Sequence, residues 1–130
     1  MSVTFDWYNE EKTIVKFSFV DPWKTHEMAE CEKRIRSEMM HFNHVVDAIM
    51  DVTQASVLPK DALSYFTSSL RKGKSIENEG VTAIYGANML VKAIANSIQK
   101  IARTEDIYFV HSLEEGVALL ETIQSNRKPH

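Results

Sequence analysis

Two hydroxyls, Thr53 and Ser56, follow an apolar run and precede a proline in the stretch 44–59, HVVDAIMDVTQASVLP. A phosphate on either would lie near the N-terminus of the next helix, where free N–H groups and the helix dipole favour negative charge. The plainer role for such residues is to cap a turn or a helix. Lys60, at that helix start, could hold an anion such as a nucleotide phosphate or a carboxylate. Tyr85-Gly86-Ala87-Asn88 follows a second apolar run. There Gly86 allows close backbone approach, and the N–H groups around Asn88 add donors. A lone glycine is far weaker than a Gly-rich phosphate fingerprint, so ordinary loop and cap chemistry is the alternative.

Other constellations carry less. His26 and Glu30 are spaced i, i+4, so they could meet on one helix face and bind a metal. Cys31 falls on a different face, HExxH is absent, and exposed helix charge accounts for these residues. His41 and His44 flank the turn before the central run, at its amino end. No metal site is expected, and no cofactor. Asp47 and Asp51 lie four apart and would share one face of a strand, about 13 Å from each other, too far to cooperate. Asp51 is better suited to bracing the loop that it opens. Cys31 is the single thiol. On an apolar stripe it would be protonated and inert. With no nucleophile beside a base and no matched carboxylates, the chain does not read as an enzyme.

The elements that must position these residues follow from periodicity. Val3 to Tyr8 and Thr13 to Val20 alternate in polarity around Asn9-Glu10-Glu11, which predicts an antiparallel hairpin. In the second run, Ile14 and Lys16 oppose Val15, Phe17 and Phe19. Asp21-Pro22-Trp23 is expected to open a helix, with Asp as cap and Pro at the first position, and Thr25 is the rival cap. Met28, Cys31, Ile35, Met39 and Phe42 form its apolar stripe, on a helix reaching about Met40. Val45 to Val52 is the central buried strand, and Thr53-Gln54-Ala55-Ser56 the turn that follows.

After Pro59, the residues Ala62, Leu63, Phe66 and Leu70 predict a shorter helix. The segment 71–80, RKGKSIENEG, is a polar loop, and Val81 to Tyr85 a strand. Asn88 would cap a helix whose inner face is Leu90, Val91, Ile94, Ile98 and Ile101. Ile107 to Val110 is the last strand. Ser112-Leu113-Glu114-Glu115 is a capping box opening a helix with Leu113, Val117, Leu120 and Ile123 inward, and 126–130 is a frayed tail. The fold class is α/β: one domain over 1–130, with a single mixed sheet that begins with an antiparallel hairpin and continues in alternating strands and helices.

Composition bounds the function. The chain has 130 residues, is 44% hydrophobic and 25% charged, and carries a formal charge of -3, which speaks against a nucleic-acid partner. No segment approaches the roughly 20 apolar residues of a membrane span. The start, MSVTFDWYNEE, has neither the basic nor the apolar part of a signal peptide, and a cytoplasmic location is expected.

The order of elements, Asp51-Val52-Thr53 at the end of the central strand, the Asp21-Pro22-Trp23 entry and the closing stretch from Ser112 to Leu120 resemble STAS domains. These have the fold of anti-sigma factor antagonists, and the likeness is to the SpoIIAA-like branch of small bacterial proteins. The resemblance implies a regulatory or interaction module. Antagonists of the phospho-switch type carry Asp-Ser at the start of the helix after the central strand. This chain instead has Leu58-Pro59-Lys60-Asp61-Ala62, with Lys60 about where the phosphoserine would stand. The resemblance thus implies the fold and not the phospho-switch.

The expected function is therefore non-enzymatic. A partner protein or small anionic ligand would bind at the carboxyl edge of the sheet, on Asp51, Thr53, Ser56, Lys60, Tyr85, Gly86 and Asn88. A homodimer through the edge strand Val3 to Tyr8 is a further possibility. The alternative is a carrier of an apolar, lipid-like ligand, in a cavity lined by Trp23, Met28, Met39, Met40, Phe42, Phe66 and Met89, although Met commonly fills plain cores.

Overall fold

Alternating apolar residues and a mostly polar turn over residues 8–13 build the hairpin from which the sheet grows. In the computed structural model, which describes residues 2–56, 59–62, 64–65, 68, 78–86 and 107–127, β1 (Val3–Trp7) pairs antiparallel with β2 (Ile14–Val20). Helix α1 (Thr25–Met39) leads to β3 (Val46–Gln54), then β4 (Glu79–Tyr85), β5 (Ile107–Val110) and α2 (Leu113–Asn126). The strands form one sheet in the order β1-β2-β3-β4-β5, with β2 to β5 mutually parallel. This is the α/β mixed sheet with a leading hairpin that the periodicity predicts.

The two faces of the sheet bury different sets. Val15, Phe17 and Phe19 of β2, Val46 and Val52 of β3 and Ile84 of β4 pack with Met28, Cys31, Ile35 and Met39 of α1. That is the predicted stripe, and each such side chain contributes about 1.5–3 kcal/mol by leaving water. On the opposite face Ile14, Ile49, Ala83 and Tyr85 pack with Leu120 of α2. Strand β2 thus has apolar residues on both faces, as its imperfect alternation implies.

Several boundaries differ from expectation. The first helix starts at Thr25, not at Pro22: the Asp21 carboxylate serves Ser56 instead of a helix N-terminus. Glu27 does the capping, accepting from the Lys24 amide at 3.0 Å and the Ser2 amide at 2.9 Å. Strand β3 runs on through Thr53 and Gln54, because Gln54 stays paired with Val20. Strand β4 begins at Glu79, inside the predicted polar loop. Ser112 caps α2, accepting from the Glu115 amide at 3.1 Å, but the Glu115 carboxylate turns to the His111 amide at 3.0 Å, so only half of the expected box forms. Arg127, read as part of a frayed tail, is held by the buried carboxylate of Asp47.

After Pro59, Ala62, Ser64, Tyr65 and Ser68 are helical. The expectations for Leu58, Leu63, Phe66, Leu70, the loop 71–77, the helix from Asn88 to Ile101 with Met89, and 128–130 lie outside the described residues. Among the described residues, no helix is long and apolar enough to cross a membrane.

Candidate functional site

The parallel strands β2, β3 and β4 bring Ser18, Asp51 and Tyr85 side by side at their carboxyl ends. Asp51 faces the α2 side of the sheet, two residues beyond the buried Ile49, because side chains alternate along a strand. Its Oδ1 accepts the Thr53 hydroxyl at 2.6 Å and the Thr53 amide at 2.9 Å. The carboxylate also accepts the Tyr85 hydroxyl, and Lys16 Nζ stands 3.8 Å from Oδ2.

These contacts decide the protonation states. Burial alone raises the Asp51 carboxyl, but the Thr53 hydroxyl and amide, the Tyr85 hydroxyl and Lys16 outweigh it and hold the group below its ordinary value. Tyr85 moves the other way. Burial, then the hydrogen bond to Asp51 and its negative charge, push the phenol well above its usual range. At neutral pH the pair is a carboxylate and a neutral phenol.

Gly86 joins the ends of β3 and β4. Its φ is +131°, and a Cβ there would lie 2.9 Å from the Val52 carbonyl carbon and 3.0 Å from the Thr53 nitrogen. Only glycine permits this conformation and this approach. Tyr85 and Gly86 therefore do share an edge with Asp51 and Thr53, as anticipated. Asn88 is outside the described residues.

Ser56 is held from a second direction. Its amide and hydroxyl both donate to Oδ2 of Asp21, at 2.8 Å each. Ala55, between the two hydroxyl residues, is fully buried. The segment 53–56 is thus pinned by Asp51 at one end and Asp21 at the other, while Thr53, Gln54 and Ser56 stay exposed. Lys60 is exposed too, and among the described residues it forms no ion pair. Its neighbour Asp61 accepts the Thr25 hydroxyl at 2.6 Å, tying the start of the next helix to α1.

Chemically, the hydroxyl donors at this edge are already spent. Both hydroxyls point at carboxylates, so a phosphate on Thr53 or Ser56 would meet Asp51 or Asp21. Lys16 is matched to Asp51. Lys60 is the exposed cation on hand for an anion.

Elsewhere, the Cys31 thiol is buried, donates to the Val3 carbonyl at 3.5 Å, and is pushed up by burial, so it stays protonated. His44 sits at the amino end, its Nε2 2.9 Å from the Lys12 carbonyl and its ring stacked on Phe42. Among the described residues, no three His, Cys, Asp or Glu side chains converge as a metal would require. Of the residues named for an apolar cavity, Trp23, Met28 and Met39 are packed core, Met40 is exposed and Phe42 packs at a tilt against Trp7.

Lys16 and Asp21 escaped the sequence reading as site residues. For Lys16 a signal existed: a lysine on the inward phase of a two-sided strand calls for a buried anion. For Asp21 there was none, since its partner lies 35 residues away.

No family model, curated protein or solved structure matches the chain.

Proposed function

We propose that the chain is a STAS-like, non-enzymatic interaction module that engages a partner protein through the exit loop of β3. One observation carries this reading: Thr53, Gln54 and Ser56 are exposed, yet their segment is fastened from below by two carboxylates and by the buried Ala55. An exposed loop that is already ordered loses little conformational freedom on binding, which favours association. A protein partner is preferred to a small anion because the hydroxyl donors are consumed by Asp51 and Asp21. The order hairpin, helix and parallel strands supports the likeness to STAS domains, and the absence of a serine at Lys60 separates the reading from the phospho-switch.

A photo-crosslinking residue at position 54 tests it, against the same residue at exposed Glu121 on α2. A protein captured from Gln54 and not from Glu121, with yield falling when Asp21→Ala loosens the loop, is the expected result. The same products from both positions, or none from position 54, would defeat the reading.

A further inference from the structure

The outer edge of β1 is only half sealed. Tyr8 donates to the Ile14 carbonyl at 2.9 Å and Val20 to the Ser2 carbonyl at 2.8 Å, so the even residues of β1 face β2. The odd residues Val3, Phe5 and Trp7 therefore direct their N–H and C=O groups outward. At Val3 both groups are occupied, the amide by Glu27 and the carbonyl by the Cys31 thiol. At Phe5 and Trp7, among the described residues, neither is.

Beside these two lies an open pocket of about 430 Å³ between β1 and α1, lined by Phe5, Trp7, Lys12, Cys31, Arg34 and Glu38 among others. Arg34 stands 5.2 Å over the Phe5 ring and Lys12 5.6 Å over the Trp7 ring.

We infer that this edge accepts a short extended segment of another protein, carrying a basic residue opposite Asp6, as a sixth strand. Two N–H and two C=O groups at strand spacing are the complement of an extended backbone and of little else. Charge selects the occupant. Asp6 is exposed on the α2 face, and its register partner there is Lys16, which in turn pairs with Asp51. A cation on the incoming strand continues that alternation of charge across the sheet, and an anion breaks it.

The same arithmetic rejects a second copy. Antiparallel pairing centred on Asp6 uses all four free groups but sets Asp6 against Asp6 at the closest cross-strand distance. Pairing centred on Phe5 sets Trp7 opposite Val3, whose backbone is already occupied. The edge is thus guarded against self-association and left open to a basic strand.

Two blocked peptides serve as probes, acetyl-Thr-Val-Lys-Val-Thr-amide and its Lys-to-Glu counterpart, followed by amide NMR of the full chain. The lysine peptide should shift the Phe5 and Trp7 amides and slow their hydrogen exchange, with the glutamate peptide about threefold to tenfold weaker. In Asp6→Lys the preference should reverse. In Asp6→Asn, which serves if the reversal variant folds poorly, it should vanish. Equal affinity of the wild type for both peptides, or no response at Phe5 and Trp7, would overturn the inference. So would a wild-type dimer in sedimentation with those amides protected before any peptide is added.

Discussion

Arg127 grips the buried carboxylate of Asp47 with both arms of its guanidinium, Nη1 to Oδ2 at 2.7 Å and Nη2 to Oδ1 at 2.6 Å. Asp47 has no exposed surface. Gln124 donates to Oδ2 at 2.8 Å and the Val81 amide to Oδ1 at 2.8 Å, so one side chain joins β3, β4 and the end of α2. Gly80 makes room, since a Cβ there would run into the same carboxylate. A buried anion is tolerated when every lone pair has a donor, and here it has.

Removing one partner should therefore cost far more than an ordinary surface change. Arg127→Ala leaves Asp47 buried without its cation and is expected to lower stability by about 3–5 kcal/mol. Urea denaturation followed by circular dichroism measures this, and a loss under about 1 kcal/mol would mean that α2 does not depend on the pair.

Asp51 should make the protein acid-sensitive in a defined direction. Its folded pKa lies below the unfolded value, so its contribution is complete above about pH 3.9 and is lost as pH falls through the lower, folded value. Asp51→Asn should cost about 1–3 kcal/mol at neutral pH and flatten that acid limb. Stability measured from pH 6 downward in both proteins tests it, and parallel curves would refute it.

Much of the fold was legible because its signals are local. The alternation of Val3 to Tyr8, the opposed phases of β2 and the stripe Met28, Cys31, Ile35, Met39 each follow from the period of the element that they build. What was not legible depends on distant pairs. Asp21 beside Pro22 looks like a helix start until Ser56 claims its carboxylate. Arg127 looks like tail until its partner, 80 residues earlier, is seen. Asp47 did carry a clue, since a charge inside an apolar run demands a buried partner, but the clue does not name the partner. At the site, the sequence placed Asp51, Thr53 and Gly86 at one edge; it could not show that both hydroxyls are already donating.

Tyr85 governs the alkaline side. Its phenol is raised above the unfolded value, so its contribution is full below about pH 10 and is lost as pH climbs toward the folded value, since the unfolded chain ionises first. Spectrophotometric titration should show a tyrosine component that ionises late, and Tyr85→Phe should remove that component. A wild-type titration with no late component would disprove the Asp51–Tyr85 hydrogen bond.

Gly86→Ala tests the contact between the ends of β3 and β4. The new methyl would press on the Val52 carbonyl carbon and the Thr53 nitrogen, backbone atoms that cannot swing aside, at a φ of +131°. The expected loss is about 1–3 kcal/mol, with the Thr53 amide resonance displaced. An unshifted Thr53 amide and unchanged stability would show that the two strand ends are not in contact.

Ser56→Glu asks whether the exit loop tolerates negative charge. Ser56 now donates to Asp21 through both its amide and its hydroxyl. Glutamate supplies no hydroxyl donor and sets a second carboxylate against the first, so repulsion replaces attraction. The loop should detach from the β2–α1 connection, with faster hydrogen exchange at Ser56 and a stability loss of about 1–2 kcal/mol, while Ser56→Ala, which keeps the amide bond, loses about half as much. Exchange by NMR separates the two variants. If Ser56→Glu left the backbone amide at position 56 as protected as in the wild type, Asp21 would not be what fastens the loop, and a phosphate there could be borne without unfastening it.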